Sequence, residues 1–228
     1  MSAPMVRATI REIERPGTGK TMTRRILKLP TKGQYIHPKM GGWAPTTVGG
    51  GGCFTIDRQG NRHPAPEKVA IWHQTTGFCI SAPHQSGDRL WVRETCRAEE
   101  LCDGRDGVRY LADDAWLPIE NIAQASDAWL TLYHYRTGTT EKRGQTVPQI
   151  HMPRWAARLI LTVTEVRVER LDQITEQDAI AEGMDCDEPV ASFIMLWNNL
   201  NASRGFPWSS NPFVCVVTFR PGLISKSS

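Results

Sequence analysis

No two of the six cysteines, at positions 53, 79, 96, 102, 186 and 215, stand in a C-x-x-C pair. That absence argues against a zinc knuckle or a dithiol redox site. Long apolar runs are missing as well: none approaches the roughly 18 to 20 residues that a membrane-spanning helix needs. The opening MSAPMVRATIRE brings in charge where a secretory signal would be apolar. The expectation is a cytoplasmic protein with reduced thiols, no membrane partner and no metal. H-E-x-x-H is absent, as is the H-x-E with P-C-x-x-C of zinc deaminases. GTGKT at 17–21 lacks the first glycine of the phosphate-binding pattern G-x-x-x-x-G-K-[ST], so a nucleotide-binding loop is not expected there.

What the chain has instead is a globular composition, 40% hydrophobic and 22% charged, over 228 residues. This argues against disorder throughout and for one domain with long insertions. The net charge of +3 hides an asymmetry. Residues 1–40 hold nine basic residues (7, 11, 15, 20, 24, 25, 28, 32 and 39) against Glu12 and Glu14. One reading is an electropositive surface that a polyanion meets first, and the other is a solvated basic N-terminus.

Three segments read as strands: 88–94 and 157–171 by alternation, and 213–219 by its β-branched, mostly apolar run. The middle one is long for a single strand, so a bend or bulge is expected in it. Thr175-Glu176-Gln177-Asp178 has the form of a capping box opening a short helix through Glu182, which Gly183 would stop. Residues 190–200 read as a second helix with Phe193, Leu196, Trp197 and Leu200 on one face. Residues 38–66, with Gly41-Gly42 and Gly49 to Gly52, read as a mobile loop, and 98–150 as an excursion with weak local structure.

In this order, KTMTRRI (20–26), GDRLWVRET (87–95), IHMPRWAARLILTVTEVRVERL (150–171), ITEQDAIAEGM (174–184) and WSSNPFVCVVTF (208–219) resemble the ASCH domain family. These are small PUA-like β-barrels, and the match is to the longer ASCH-like proteins often encoded by bacteriophages and prophages. The resemblance implies an α+β fold, mostly β: a PUA-like barrel with short flanking helices, a single domain over 1–228, and insertions at 38–84 and 98–150. It also implies a cleft that handles RNA, DNA or a modified nucleoside in the cytoplasm of a bacterial host, with no cofactor. In the small bacterial ASCH amidohydrolases, a Lys, a Thr three residues later and a Glu remove the acyl group from N4-acetylcytidine without metal. The matching positions here are Lys20, Thr23 and Glu182.

A Thr hydroxyl is a poor nucleophile until a neighbour takes its proton, and a Lys does that only when burial or nearby cations such as Arg24 and Arg25 lower its pKa. Glu182 would then pass a proton to the leaving amine. On an extended strand Lys20 and Thr23 point to opposite faces, so this chemistry requires 20–23 not to be extended. Competing readings make Lys20 a solvated lysine, Thr23 a turn residue and Glu182 a surface acid at a helix C-terminus. Arg24 and Arg25 would instead fork phosphates. Trp155, beside Arg154, is then the leading platform for an unpaired base, ahead of Trp91 and Trp208. His151 reads as structural. Arg93 and Glu94 read as an ion pair at a strand end or as lining of the cleft, with Glu94 a second acid able to replace Glu182. The alternatives to amide hydrolysis are a non-catalytic reader of RNA or modified DNA, a ribonuclease, and a scaffold in phage assembly.

Overall fold

The computed structural model describes residues 1–30, 42–136 and 143–224. Lys32, Lys39 and Gly41, which the basic and glycine-rich readings included, lie outside them. The architecture is α+β with mostly strands. Twelve strands follow a first helix: α1 (Ala3–Glu14), β1 (Met22–Ile26), β2 (Trp43–Val48), β3 (Phe54–Ile56), β4 (Arg62–Pro64), β5 (Lys68–His73), β6 (Cys79–Ser81), β7 (Arg89–Trp91), β8 (Cys96–Glu100), β9 (Asp106–Tyr110) and β10 (Ala115–Pro118), then α2 (Ala123–Tyr133), β11 (Leu159–Arg170), α3 (Glu176–Ala181), α4 (Pro189–Asn201) and β12 (Phe213–Leu223). Among the described residues the sheets have the orders β1-β12-β11-β7, β10-β9-β8, β2-β5-β6 and β3-β4, and none closes on itself.

The chain forms two compact units, one of Met1–Lys20, Arg89–Leu161 and Pro221–Ser228, the other of Thr21–Asp88 and Thr162–Arg220. The two stretches expected as insertions fall one in each unit, and their described residues carry regular structure, β2 to β6 in the first stretch and β8 to β10 with α2 in the second. In the first unit β8 and β10 flank β9 in antiparallel register. Cys96, Ala98, Val108 and Tyr110 from this sheet pack with Trp129 and Leu132 of α2 into a core. In the second unit β2 pairs with β5, with Trp43 opposite His73 and Val48 opposite Lys68. Its core joins Leu27, Ile71, Val168 and Phe213.

β11 carries the break expected of a long strand in its burial pattern. Leu159, Leu161 and Val163 are buried, then Val166 and Val168. The phase changes across Thr164-Glu165, so the two halves of the strand bury opposite faces, as a twist or bulge requires. α3 has the anticipated cap: the Thr175 hydroxyl accepts from the Asp178 N–H at 3.1 Å, and the Asp178 carboxylate accepts from the Thr175 N–H at 3.3 Å. Its other end is a Schellman turn. Gly183 N–H donates to Ile180 O and Met184 N–H to Ala179 O, with Gly183 at φ 97°. This turn fixes Glu182 at the helix end. α4 buries Phe193 and Trp197 but leaves Leu200 56% exposed, so its inner face is narrower than the four-residue stripe expected.

Candidate functional site

The GTGK loop already holds an anion, and it is the protein's own. Glu12, in the last turn of α1, accepts hydrogen bonds from the N–H groups of Gly17 (3.0 Å) and Gly19 (2.8 Å). A side chain at Gly19 would meet Ala8 O at 2.2 Å, so only glycine lets the loop lie this close to α1. Lys20 follows, 3% exposed, with its N–H donating to Ala8 O at 2.9 Å. The loop is therefore not an open phosphate cradle, because a carboxylate fills the position a phosphate would take.

In the same unit a groove of about 400 Å³ is lined by Arg89, Trp91, Arg154, Trp155, Ala157, Ile160 and Ile224. No carboxylate lines it. Alternation in an extended segment puts Arg89, Trp91 and Arg93 on one face, and the burial pattern agrees: the arginines are exposed and Trp91 is half-buried. Arg93 holds its guanidinium carbon 4.6 Å from the Trp91 ring and donates to Ile150 O at 3.0 Å. Trp91 and Trp155 rest their inner edges on the core. Two indoles fixed from below and three guanidiniums at the rim can stack a planar base and take its phosphate. A larger cavity of about 610 Å³ in this unit is bordered by Glu14, Asp113 and Glu120, which would repel phosphate.

Glu94, expected to pair with Arg93 or to line a cleft, instead makes a buried fork with Arg158. Arg158 Nε and Nη2 donate to the two Glu94 oxygens at 2.9 and 2.8 Å, and Nη1 and Nη2 donate to Asp113 at 2.9 and 2.8 Å. The Glu94 side chain is 1% exposed. The guanidinium also lies 4.1 Å from the Tyr110 ring, and the Tyr110 hydroxyl donates to Ala156 O. Burial works to raise the Asp113 pKa, but the hydrogen bonds and charge of Arg158 outweigh it and hold the group below its ordinary value. Burial, with the Glu94 charge, pushes the Cys96 thiol up to about 12, so this free cysteine stays a protonated, unreactive core residue.

The second unit buries the other charged cluster. β1 alternates, with Met22 and Arg24 buried, Thr23 half-buried and Arg25 exposed. Arg24 Nη2 donates to Glu169 at 2.9 Å and to Asp178 at 2.7 Å, and Nη1 approaches Glu182 at 3.5 Å. Arg167 ties the same acids from the other side, at 2.8 Å to Glu169 and 3.1 Å to Asp178. For Asp178, burial raises the pKa, while Arg24, the Thr175 N–H and Arg167 together lower it further.

Several expected roles change accordingly. Arg24 cannot fork a phosphate, because its side chain is fully buried against three carboxylates. Arg25 remains exposed and available. Thr23 lies in an extended strand paired to Val217, on the face opposite Arg24, so the non-extended backbone that its chemistry called for over 20–23 does not reach this position. Glu182 is 4% exposed. Arg154 and Trp155 do share a groove with Trp91, while Arg93 borders it. Residue-by-residue reading missed Arg89, Arg158 and the Glu169–Asp178 pair. The Arg89-x-Trp91-x-Arg93 alternation was a usable signal for the first, whereas nothing local marks the others. Comparison of the chain with protein-family models, curated proteins and solved structures found no match.

Proposed function

We propose that the protein handles nucleic acid or a modified nucleoside, as the ASCH resemblance implies, with an unpaired base stacking in the Trp91–Trp155 groove. On this reading the antiparallel sheets are those of a PUA-like fold. The observation that carries it is the lining: two half-buried indoles with Arg89 and Arg154, no acid, and Arg93 at the border over Trp91. Stacking is worth about 1–3 kcal/mol per base by alanine substitution, roughly 5- to 150-fold in affinity. Trp155→Ala is therefore expected to weaken binding of a short single-stranded oligonucleotide by at least about 5-fold. Arg89→Ala with Arg154→Ala should flatten the dependence of log affinity on log salt by about 1.4, from the roughly 0.7 per phosphate of single strands. Fluorescence anisotropy across a salt series checks both, and unchanged values in all variants would refute the groove.

The chemistry proposed, as the resemblance implies it, is amide hydrolysis on an N4-acylated cytosine or a related base. Water is consumed: the bond between N4 and the acyl carbon breaks, water's oxygen joins the acyl carbon so that the acyl group leaves as a carboxylic acid, and N4 gains a proton to become the free amine. What supports it is the burial of Lys20 and Glu182, residue types rarely withdrawn from water without a purpose. In the resemblance Lys20 activates Thr23 and Glu182 serves as acid/base. Lys20→Ala and Glu182→Gln are expected to lower release of cytidine from N4-acetylcytidine by about 10²- to 10⁴-fold, the usual worth of a positioned acid or base. Chromatography of the products measures it. The register of β1, with Thr23 turned from Arg24, favours a second reading in which the base is bound but not cleaved. Wild-type protein that binds the nucleoside and releases nothing would establish that reading.

A further inference from the structure

β3 and β4 form a hairpin in which every strand residue is exposed, including Phe54 at 48% and Ile56 at 62%. It continues the β2–β5 ribbon outward, through Gly50 N–H to Ala65 O and Ala65 N–H to Cys53 O, both 2.9 Å. A two-stranded hairpin with no buried face is marginal by itself. This one is pinned at its turn. Asp57 Oδ1 accepts from the N–H groups of Gln59 and Asn61 at 2.9 and 2.8 Å. Its Oδ2 meets Asn61 Nδ2 at 3.1 Å and His63 Nε2 at 2.8 Å. The registered pairs are Phe54 with Pro64, Thr55 with His63 and Ile56 with Arg62.

We infer that this arm is a DNA-binding element whose tip enters a groove of B-form duplex, with Arg58 and Arg62 taking the phosphates. The inference rests on the nucleic-acid reading of the protein and names a second contact for it. Three features favour this occupant. The only acid between Cys53 and Pro64 is Asp57, whose oxygens the turn and His63 already engage, so the Arg58 and Arg62 side chains are not drawn into an ion pair with it and the tip is net basic. Both faces of the ribbon are open, as they must be to meet both walls of a groove, and the major groove admits a two-stranded ribbon of this kind. The Arg62 guanidinium lies 4.3 Å from the Phe54 ring, which holds that cation in place and covers part of the apolar face a protein partner would otherwise need.

The test is fluorescence anisotropy of the full chain with a short B-form duplex and with one strand of it. Wild type is compared with Arg58→Ala/Arg62→Ala and with Arg89→Ala/Arg154→Ala. The arm variant is expected to lose at least about tenfold in duplex affinity, with the salt slope reduced by about 1.8, at roughly 0.9 per phosphate contact. Its single-strand affinity and thermal midpoint should stay at wild-type values, because neither arginine is buried. Unchanged duplex affinity in the arm variant, or an equal loss for duplex and single strand, overturns the proposal while leaving the groove reading standing. A shift in oligomeric state of Phe54→Ala with duplex binding intact would assign the arm to a protein contact and overturn it too. Failure of the wild type to bind either nucleic acid overturns both readings together.

Discussion

Replacing Arg158 with methionine is expected to remove about 3–5 kcal/mol of stability, the usual cost of leaving a buried charge without its partner. The charge left behind is Glu94, 1% exposed and held on both oxygens by Arg158. Asp113 is less affected, since a quarter of its side chain already reaches solvent. Out of a typical total of about 5–15 kcal/mol, such a loss brings the protein near its unfolding threshold. Urea unfolding should show a lower midpoint with an unchanged slope. Removing both charges, as Glu94→Leu with Arg158→Met, should recover much of the loss, because neither ion then needs to be desolvated; a double-mutant cycle separates the two contributions. The pH dependence has a definite sign. Asp113 is held below its unfolded value of 3.8, so its contribution is present above that pH and lost as pH falls through the folded value. Without Arg158 burial is opposed only by the backbone N–H groups of Ala115 and Asp113, so its pKa rises and acid unfolding begins at a higher pH than in the wild type.

Arg24→Met should be comparably severe, at about 3–5 kcal/mol, and it reaches the proposed chemistry as well. Its fully buried guanidinium faces three carboxylates whose own exposure is 14%, 15% and 5%. Arg167 retains Glu169 and Asp178, which limits the damage there. Asp178 loses the charge that most depresses its pKa, so its share of stability, present in the wild type above 3.8, retreats to higher pH. Arg24→Lys is expected to recover less than half of the loss, since a single ammonium cannot fork to acids that two guanidinium nitrogens reach. If Glu182 acts as the acid/base, Arg24→Lys should also lower turnover of N4-acetylcytidine, because the guanidinium nitrogen that approaches Glu182 at 3.5 Å is then gone. Turnover that stays at the wild-type level while stability falls would make the cluster purely structural.

How far the sequence was legible depends on where each residue's partners are. The capping box at Thr175 and the stop at Gly183 are satisfied within a few residues, so local pattern located both. β11 and β12 announced themselves by apolar alternation and β-branched content. The β8–β9–β10 sheet did not, because its core face includes the small residues Cys96 and Ala98 and its other face the glycine Gly107, all of which carry little β signal. Gly107 is demanded by Trp116, whose ring would lie 2.3 Å from an added side chain. α1 has a helical apolar spacing in Val6, Ile10 and Ile13, but its charges drew the reading to an electropositive surface or a solvated N-terminus, neither of which names a helix. In the structure Glu12 of that helix closes the loop it had been set against.

The sequence by itself pointed to the α+β class, the principal strands of the β1-β12-β11-β7 sheet and both ends of α3, and it singled out Arg154 and Trp155, which line one groove in the structure. Tertiary structure decided which charges are free. Arg24 and Glu182 are 158 positions apart, Arg24 and Glu169 are 145 apart, and Arg158 lies 64 from Glu94. At such separations no local periodicity records the pairing. Burial then turns a basic residue that looked available to phosphate into one neutralised by its own chain, because a guanidinium withdrawn from water must find carboxylates wherever the fold can supply them.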